Sequence, residues 1–106
     1  DGFMAPLALD EEVIKRHAGE FHIDSVRSLH LPRLGLTTLG SIASCVNLTE
    51  IDVSENSLTT LNGIEALESL EKITASHNNI SSLKPLRSLK NLTDLRLEYN
   101  DVRDVG

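Results

Sequence analysis

At 106 residues the chain has room for one hydrophobic core, and with 40% hydrophobic residues, 3% aromatics and no Trp that core must be aliphatic and thin. A formal charge of −6 at pH 7 works against binding phosphate backbones or anionic bilayers, so nucleic acid and membrane are poor partners. No apolar run approaches the ~18 residues needed to span a bilayer, and a single cysteine, Cys45, rules out an internal disulfide framework and favours an intracellular, cytoplasmic setting.

Residues 1–9 read as a leader, either disordered or left over from expression ahead of Met4. The run Met4-Ala5-Pro6-Leu7-Ala8-Leu9 passes straight into Asp10-Glu11-Glu12, which is not the pattern of a signal peptide. Asp10 is a good N-cap, Glu11 and Glu12 suit the first turn, and Gly19 suits the stop. The expectation is a helix over 10–18 within an N-terminal capping unit of 10–25. Val13, Ile14, Phe21 and Ile23 are expected to supply its apolar cover.

From Val26 onward the chain repeats itself every 22 residues. Val26, Leu48, Leu70 and Leu92 form one column, and Leu29, Ile51, Ile73 and Leu95 form the next. Leu31, Val53, Ala75 and Leu97 follow, then Leu36, Leu58, Ile80 and Val102, then Leu39, Leu61, Leu83 and Val105. Two shorter columns, Ile42, Ile64, Leu86 and Cys45, Leu67, Leu89, complete the pattern. Three full repeats and one partial repeat thus occupy 26–106. Apolar residues at period two around Leu29 and Leu31 predict a very short strand, stacked in parallel on its equivalent about 4.8 Å away. Period three in Leu61, Ile64, Leu67 and Leu70 predicts 3₁₀-like turns on the return. Asn56, Asn78 and Asn100 close the strands and form a ladder able to bond the amides freed by the turn. Leu34 takes that place in the first repeat. Ser41, Gly63 and Pro85 share a column that leads into the return segment.

The segment Leu48-x-x-Ile51-x-Val53-x-x-Asn56-x-Leu58 resembles the leucine-rich-repeat motif. Its 22-residue period is similar to the subclass that includes a nuclear regulatory subunit of protein phosphatase-1, an axonemal dynein light chain and a spliceosomal A-prime protein. The opening Lys15-to-Phe21 segment and Leu34-Gly35-Leu36 also resemble small proteins with such repeats, several of them ciliary. The resemblance implies an α/β repeat fold: a solenoid with short parallel strands on its concave face, 3₁₀ turns on its convex face and a capping helix at its N-terminus. No matching cap follows Val105, so the chain is expected to be part of a longer protein.

Outward residues form a continuous array only on the concave face. The candidate protein-binding residues are Glu50, Asp52, Lys72, Asp94, Arg96, Glu98 and Tyr99, with Asn56, Asn78 and Asn100 as structural ladder. Including Arg33 and Glu55, five acids oppose three bases there, which suits a partner with basic groups. Catalytic residues are not expected, because the carboxylate pairs lie on an open, wet face where nothing splits their pKa values. Cys45 falls in a core column and reads as a buried structural thiol. His17, His22, His30 and His77 lack metal-ligand spacing, and the scattered glycines form no phosphate loop, so no metal, cofactor or small-molecule substrate is expected. The sequons at Asn47, Asn79 and Asn91 read as by-products of the repeat pattern, and the Ser/Thr columns at 37–38, 59–60 and 81–82 as turn chemistry.

These observations favour a non-catalytic interaction module that binds another protein. The resemblance narrows this to a ciliary or cytoskeletal assembly. Two alternatives are a regulatory subunit docking on a protein phosphatase, for which four repeats offer little surface, and a structural spacer in a longer protein.

Overall fold

The computed structural model describes residues 9–103. Helix α1 runs Glu11–Ala18, and the strands are β1 (Ser28–His30), β2 (Glu50–Asp52), β3 (Lys72–Thr74) and β4 (Asp94–Arg96). Asp10 caps α1 by accepting from the Val13 N–H at 3.0 Å, and Gly19 ends it in the left-handed region. The helix therefore starts and stops where the cap residues require.

Each strand is three residues long because only its central residue points inward: Leu29, Ile51 and Ile73 are buried between outward neighbours. The strands pair in parallel in chain order, with register Ser28↔Glu50↔Lys72↔Asp94 and His30↔Asp52↔Thr74↔Arg96. The offset is 22 residues throughout, so the sequence columns are the spatial columns. Return segments carry 3₁₀ turns at Ile23–Ser25, Ile42–Ser44, Ile64–Ala66 and Lys84–Leu86. Leu36, Leu39, Ile42, Leu48, Leu58, Leu61, Ile64, Leu67 and Leu70 are fully enclosed, and Ile14 of α1 seals the first repeat.

Four expectations need correction. Phe21 covers nothing: it is 91% exposed, because the chain leaves α1 at Gly19 with Glu20 and Phe21 on the outside. Leu95 belongs to a core column but is 38% exposed, and Leu92, Leu97 and Val102 are only half-buried. No strand beyond β4 covers them among the described residues. The fourth 3₁₀ turn starts two residues early relative to its equivalents. Pro85, with its preset φ, sits inside the first turn and is buried, leaving Leu86 half-buried. Leu9, assigned to the leader, is 3% exposed and part of the core; residues 1–8 and Val105 lie outside the described residues.

Leu9 is held by a contact that demands glycine. Its carbonyl accepts from Ser41 N–H at 2.8 Å, and a Cβ at Gly40, where φ is +55°, would overlap that carbonyl. Gly40→Ala should therefore cost about 2–4 kcal/mol, combining left-handed strain with the forced displacement of Leu9. Gly35→Ala, at φ +70° but with open space around the Cβ position, should cost only about 1 kcal/mol. Thermal melting of the two variants side by side checks the difference.

Candidate protein-binding face

The sheet register sets the outward side chains into rows across the repeats, and most of them interact with the equivalent residue one repeat away. Ser28 donates to Glu50 at 3.1 Å, His30 Nδ1 lies 3.3 Å from Asp52, and Ser76 donates to Glu98 at 2.8 Å. Beyond the strand ends, Arg33 pairs with Glu55 at 3.0 Å, and His77 stacks on Tyr99 with centroids 4.4 Å apart and planes 15° from parallel. Arg96 pairs instead with Asp94 of its own strand at 3.6 Å. A shallow depression of about 160 Å³ lies over β1 to β3, lined by Ser28, His30, Glu50, Asp52, Lys72 and Thr74.

Of the seven predicted binding residues, Glu50, Lys72, Arg96, Glu98 and Tyr99 are exposed, while Asp52 and Asp94 are half-buried. The charges are not equally available. Asp52 is engaged by His30 and by the Ser54 N–H, and Asp94 by Arg96. Glu50 and Glu98 receive only serine hydroxyls; among the described residues no cation lies within ion-pair distance of either. Hydrogen bonds from its own backbone N–H and from Ser76, aided by the Arg96 and His77 charges, hold the Glu98 carboxyl below its ordinary pKa. It stays ionised as a negative point on the exposed face.

The 22-residue spacing sets Arg33, Glu55, His77 and Tyr99 in one column, but sequence reasoning did not foresee their backbone conformation. All four adopt left-handed backbone, with φ of 56°, 59°, 59° and 62°. Such strain costs non-glycine residues roughly 1–2 kcal/mol each. It aims these side chains along the rim, and the following Asn compensates where one is present. Asn56 Nδ2 donates to Leu31 O, Val53 O and Ser54 O, while its Oδ1 accepts from Leu34 N–H and Leu36 N–H. Asn78 and Asn100 repeat this toward Leu58 and Ile80. Each ladder Asn thus serves the repeat before it. Leu34 is tolerated because no repeat precedes the first, where α1 takes over. The 22-residue spacing carried the signal for the row pairs; nothing in the residue types marked the left-handed turn.

The remaining chemistry is quiet. Cys45 is fully buried, and burial, with a smaller contribution from Glu11, pushes its thiol up to about 11. A disulfide-exchange reagent should label it at neutral pH only slowly in the native protein and rapidly in denaturant; fast native labelling would contradict its place in the core. Asn47 and Asn91 Nδ2 donate to Asp24 O at 2.7 Å and Glu68 O at 2.9 Å, tying each repeat to the one before. Two of the sequons thus hold structural asparagines. Among the described residues no group of three or more His, Cys, Asp and Glu is placed to hold a metal ion, and no helix is long and apolar enough to cross a membrane.

A family model described as leucine-rich repeats, two copies, matches residues 68–105. Over those residues the chain is similar to that family. The leucine-rich-repeat-containing protein 61 of Mus musculus is 40% identical over 50 residues, a match covering 47% of this chain and 19% of that protein. An internalin (inlF) from Listeria monocytogenes superposes with a TM-score of 0.81 at 19% identity, over 90% of this chain and 31% of that one. Internalin C2 of the same organism gives 0.46 at 18% identity, over 89% and 65%. The chain spans about a fifth of the mouse relative and a third of the first internalin. The fold is the leucine-rich-repeat solenoid, an architecture whose exposed faces generally bind other proteins.

Proposed function

We propose that this leucine-rich-repeat chain is a non-catalytic docking module that holds another protein against its concave face. The observation that carries the reading is the uneven pairing of charge there: Glu50 on β2 and Glu98 just beyond β4 are exposed and, among the described residues, without a cation in ion-pair distance, while the face's other acids are engaged. They suit a partner presenting basic groups at two separated points, with the His77–Tyr99 stack between rim and sheet as a planar anchor. Carboxylates on an open face are poor acid–base catalysts, which supports binding over chemistry. The reading places the module inside the cell, in a ciliary or cytoskeletal assembly, on the strength of its lone buried thiol and the resemblance of its repeats.

The test is affinity capture with the wild-type chain and with a Glu50→Lys/Asp52→Arg variant. Both substitutions lie on β2, well inside the solenoid, so the melting temperature should stay close to wild type. A protein held by the wild type and released by the variant supports the concave face. Equal capture by the two forms removes it.

A further inference from the structure

On the concave face, the residue one repeat earlier decides what several of the acids meet. Arg33 pairs with Glu55 at 3.0 Å and His30 lies 3.3 Å from Asp52. Glu50 and Glu98 instead accept from the hydroxyls of Ser28 and Ser76, at 3.1 and 2.8 Å. A hydroxyl is neutral, so it fixes the direction of a carboxylate and leaves the charge for a third group.

The consequence is clearest at Ser28, because Glu50 stands between that serine and a cation. Ser28, Glu50 and Lys72 are in register on β1, β2 and β3, and all three are exposed. With α1 packed against β1 and β4 beyond β3, the trio is flanked on both sides. Neighbouring strands lie about 4.8 Å apart, so a lysine side chain can reach the adjacent carboxylate. Among the described residues, however, no ion pair joins Glu50 to Lys72; the carboxylate is turned toward β1 by the Ser28 hydroxyl. Without that hydroxyl, Lys72 is the strongest attraction on the neighbouring strands, and the two charges cancel within the sheet. We propose that Ser28 is a positioning residue for docking: it holds Glu50 away from Lys72, so that a basic partner meets a carboxylate already oriented and not neutralised. The proposal rests on the docking reading above and names what prepares one of its acids. An acid oriented in advance spares the complex the ordering of a flexible side chain.

The test uses the 106-residue chain and a tri-arginine peptide at low salt. Side-chain NMR couplings report the Glu50 rotamer, and a peptide titration of the same samples reports affinity. The wild type should hold Glu50 in one dominant χ1 rotamer. Ser28→Ala should redistribute it and weaken peptide binding about threefold or more. Ser28→Thr keeps the hydroxyl and suits a strand, so it should restore both readouts. Lys72→Gln is the deciding background: there Ser28→Ala should no longer lower affinity, because Glu50 has no neighbouring cation to fall onto. Melting curves establish that each variant is folded, and Ser28→Val, a strand former without the hydroxyl, replaces Ser28→Ala if that variant is not. The same loss with and without Lys72 would mark Ser28 as merely structural and overturn the proposal. So would a Glu50 that samples its rotamers freely in the wild type. Binding equal in wild type and Ser28→Ala removes the proposal alone, whereas no binding to a wild type with Glu50 ordered removes the docking reading and the proposal with it.

Discussion

Leu67→Asp should leave the chain largely unfolded at room temperature. Leu67 is completely buried in the second repeat, stacked between the Cys45 and Leu89 positions of the repeats on either side. Removing the leucine from such a site costs about 2–5 kcal/mol before any charge is considered. The carboxylate then has no cation in that column, and burying even a neutral polar group there without partners adds roughly 1–3 kcal/mol. Against a net stability of order 5–15 kcal/mol for a domain of this size, the sum removes most or all of it. Leu67→Met, which conserves volume, should cost under about 1.5 kcal/mol and serves as the control. Urea denaturation followed by circular dichroism measures both. A cooperative transition for Leu67→Asp near that of wild type would mean that the column is not core.

Asn78→Ala should be the most damaging of the ladder substitutions, at about 1–3 kcal/mol. Asn78 is 6% exposed and is the one buried polar residue in the described core. Its Oδ1 accepts from the Leu58 N–H at 3.0 Å, and its Nδ2 donates to Val53 O, Ala75 O and Ser76 O. Alanine leaves a buried amide and buried carbonyls without that partner, and it releases the compensation for the left-handed turn at His77. Asn100→Ala removes the same kind of bonds at the half-buried last repeat, where water can replace them, and should cost distinctly less. Equal losses for the two variants, read from denaturant midpoints at constant slope, would argue that burial does not set the cost.

The ladder also shows how far the sequence could be read. Asn56, Asn78 and Asn100 were legible as strand-closing residues from their spacing, because an amide is the side chain that can both donate and accept at a turn. Their direction was not legible: each reaches back to the preceding repeat, a relation that exists only once repeats are stacked. The concave rows were legible in the same way. A fixed 22-residue period places Glu50 beside Ser28 and Tyr99 beside His77 whatever their chemistry. Which of those charges are engaged and which stand free was not, since it depends on side-chain reach across about 4.8 Å between strands.

By itself the sequence determined the repeat, its period, the inward columns, the short strands, the cap at Asp10 and the buried state of Cys45. All of these follow from local periodicity and from the need to hide aliphatic side chains, and both are visible in one dimension. Tertiary structure alone decided that Phe21 lies outside, that Pro85 draws the last 3₁₀ turn forward, and that Leu9 locks against Gly40. It also decided that Leu95 remains half-open. Each of these depends on whether a neighbouring element is present to cover or collide with the residue, and a column of letters does not carry that information.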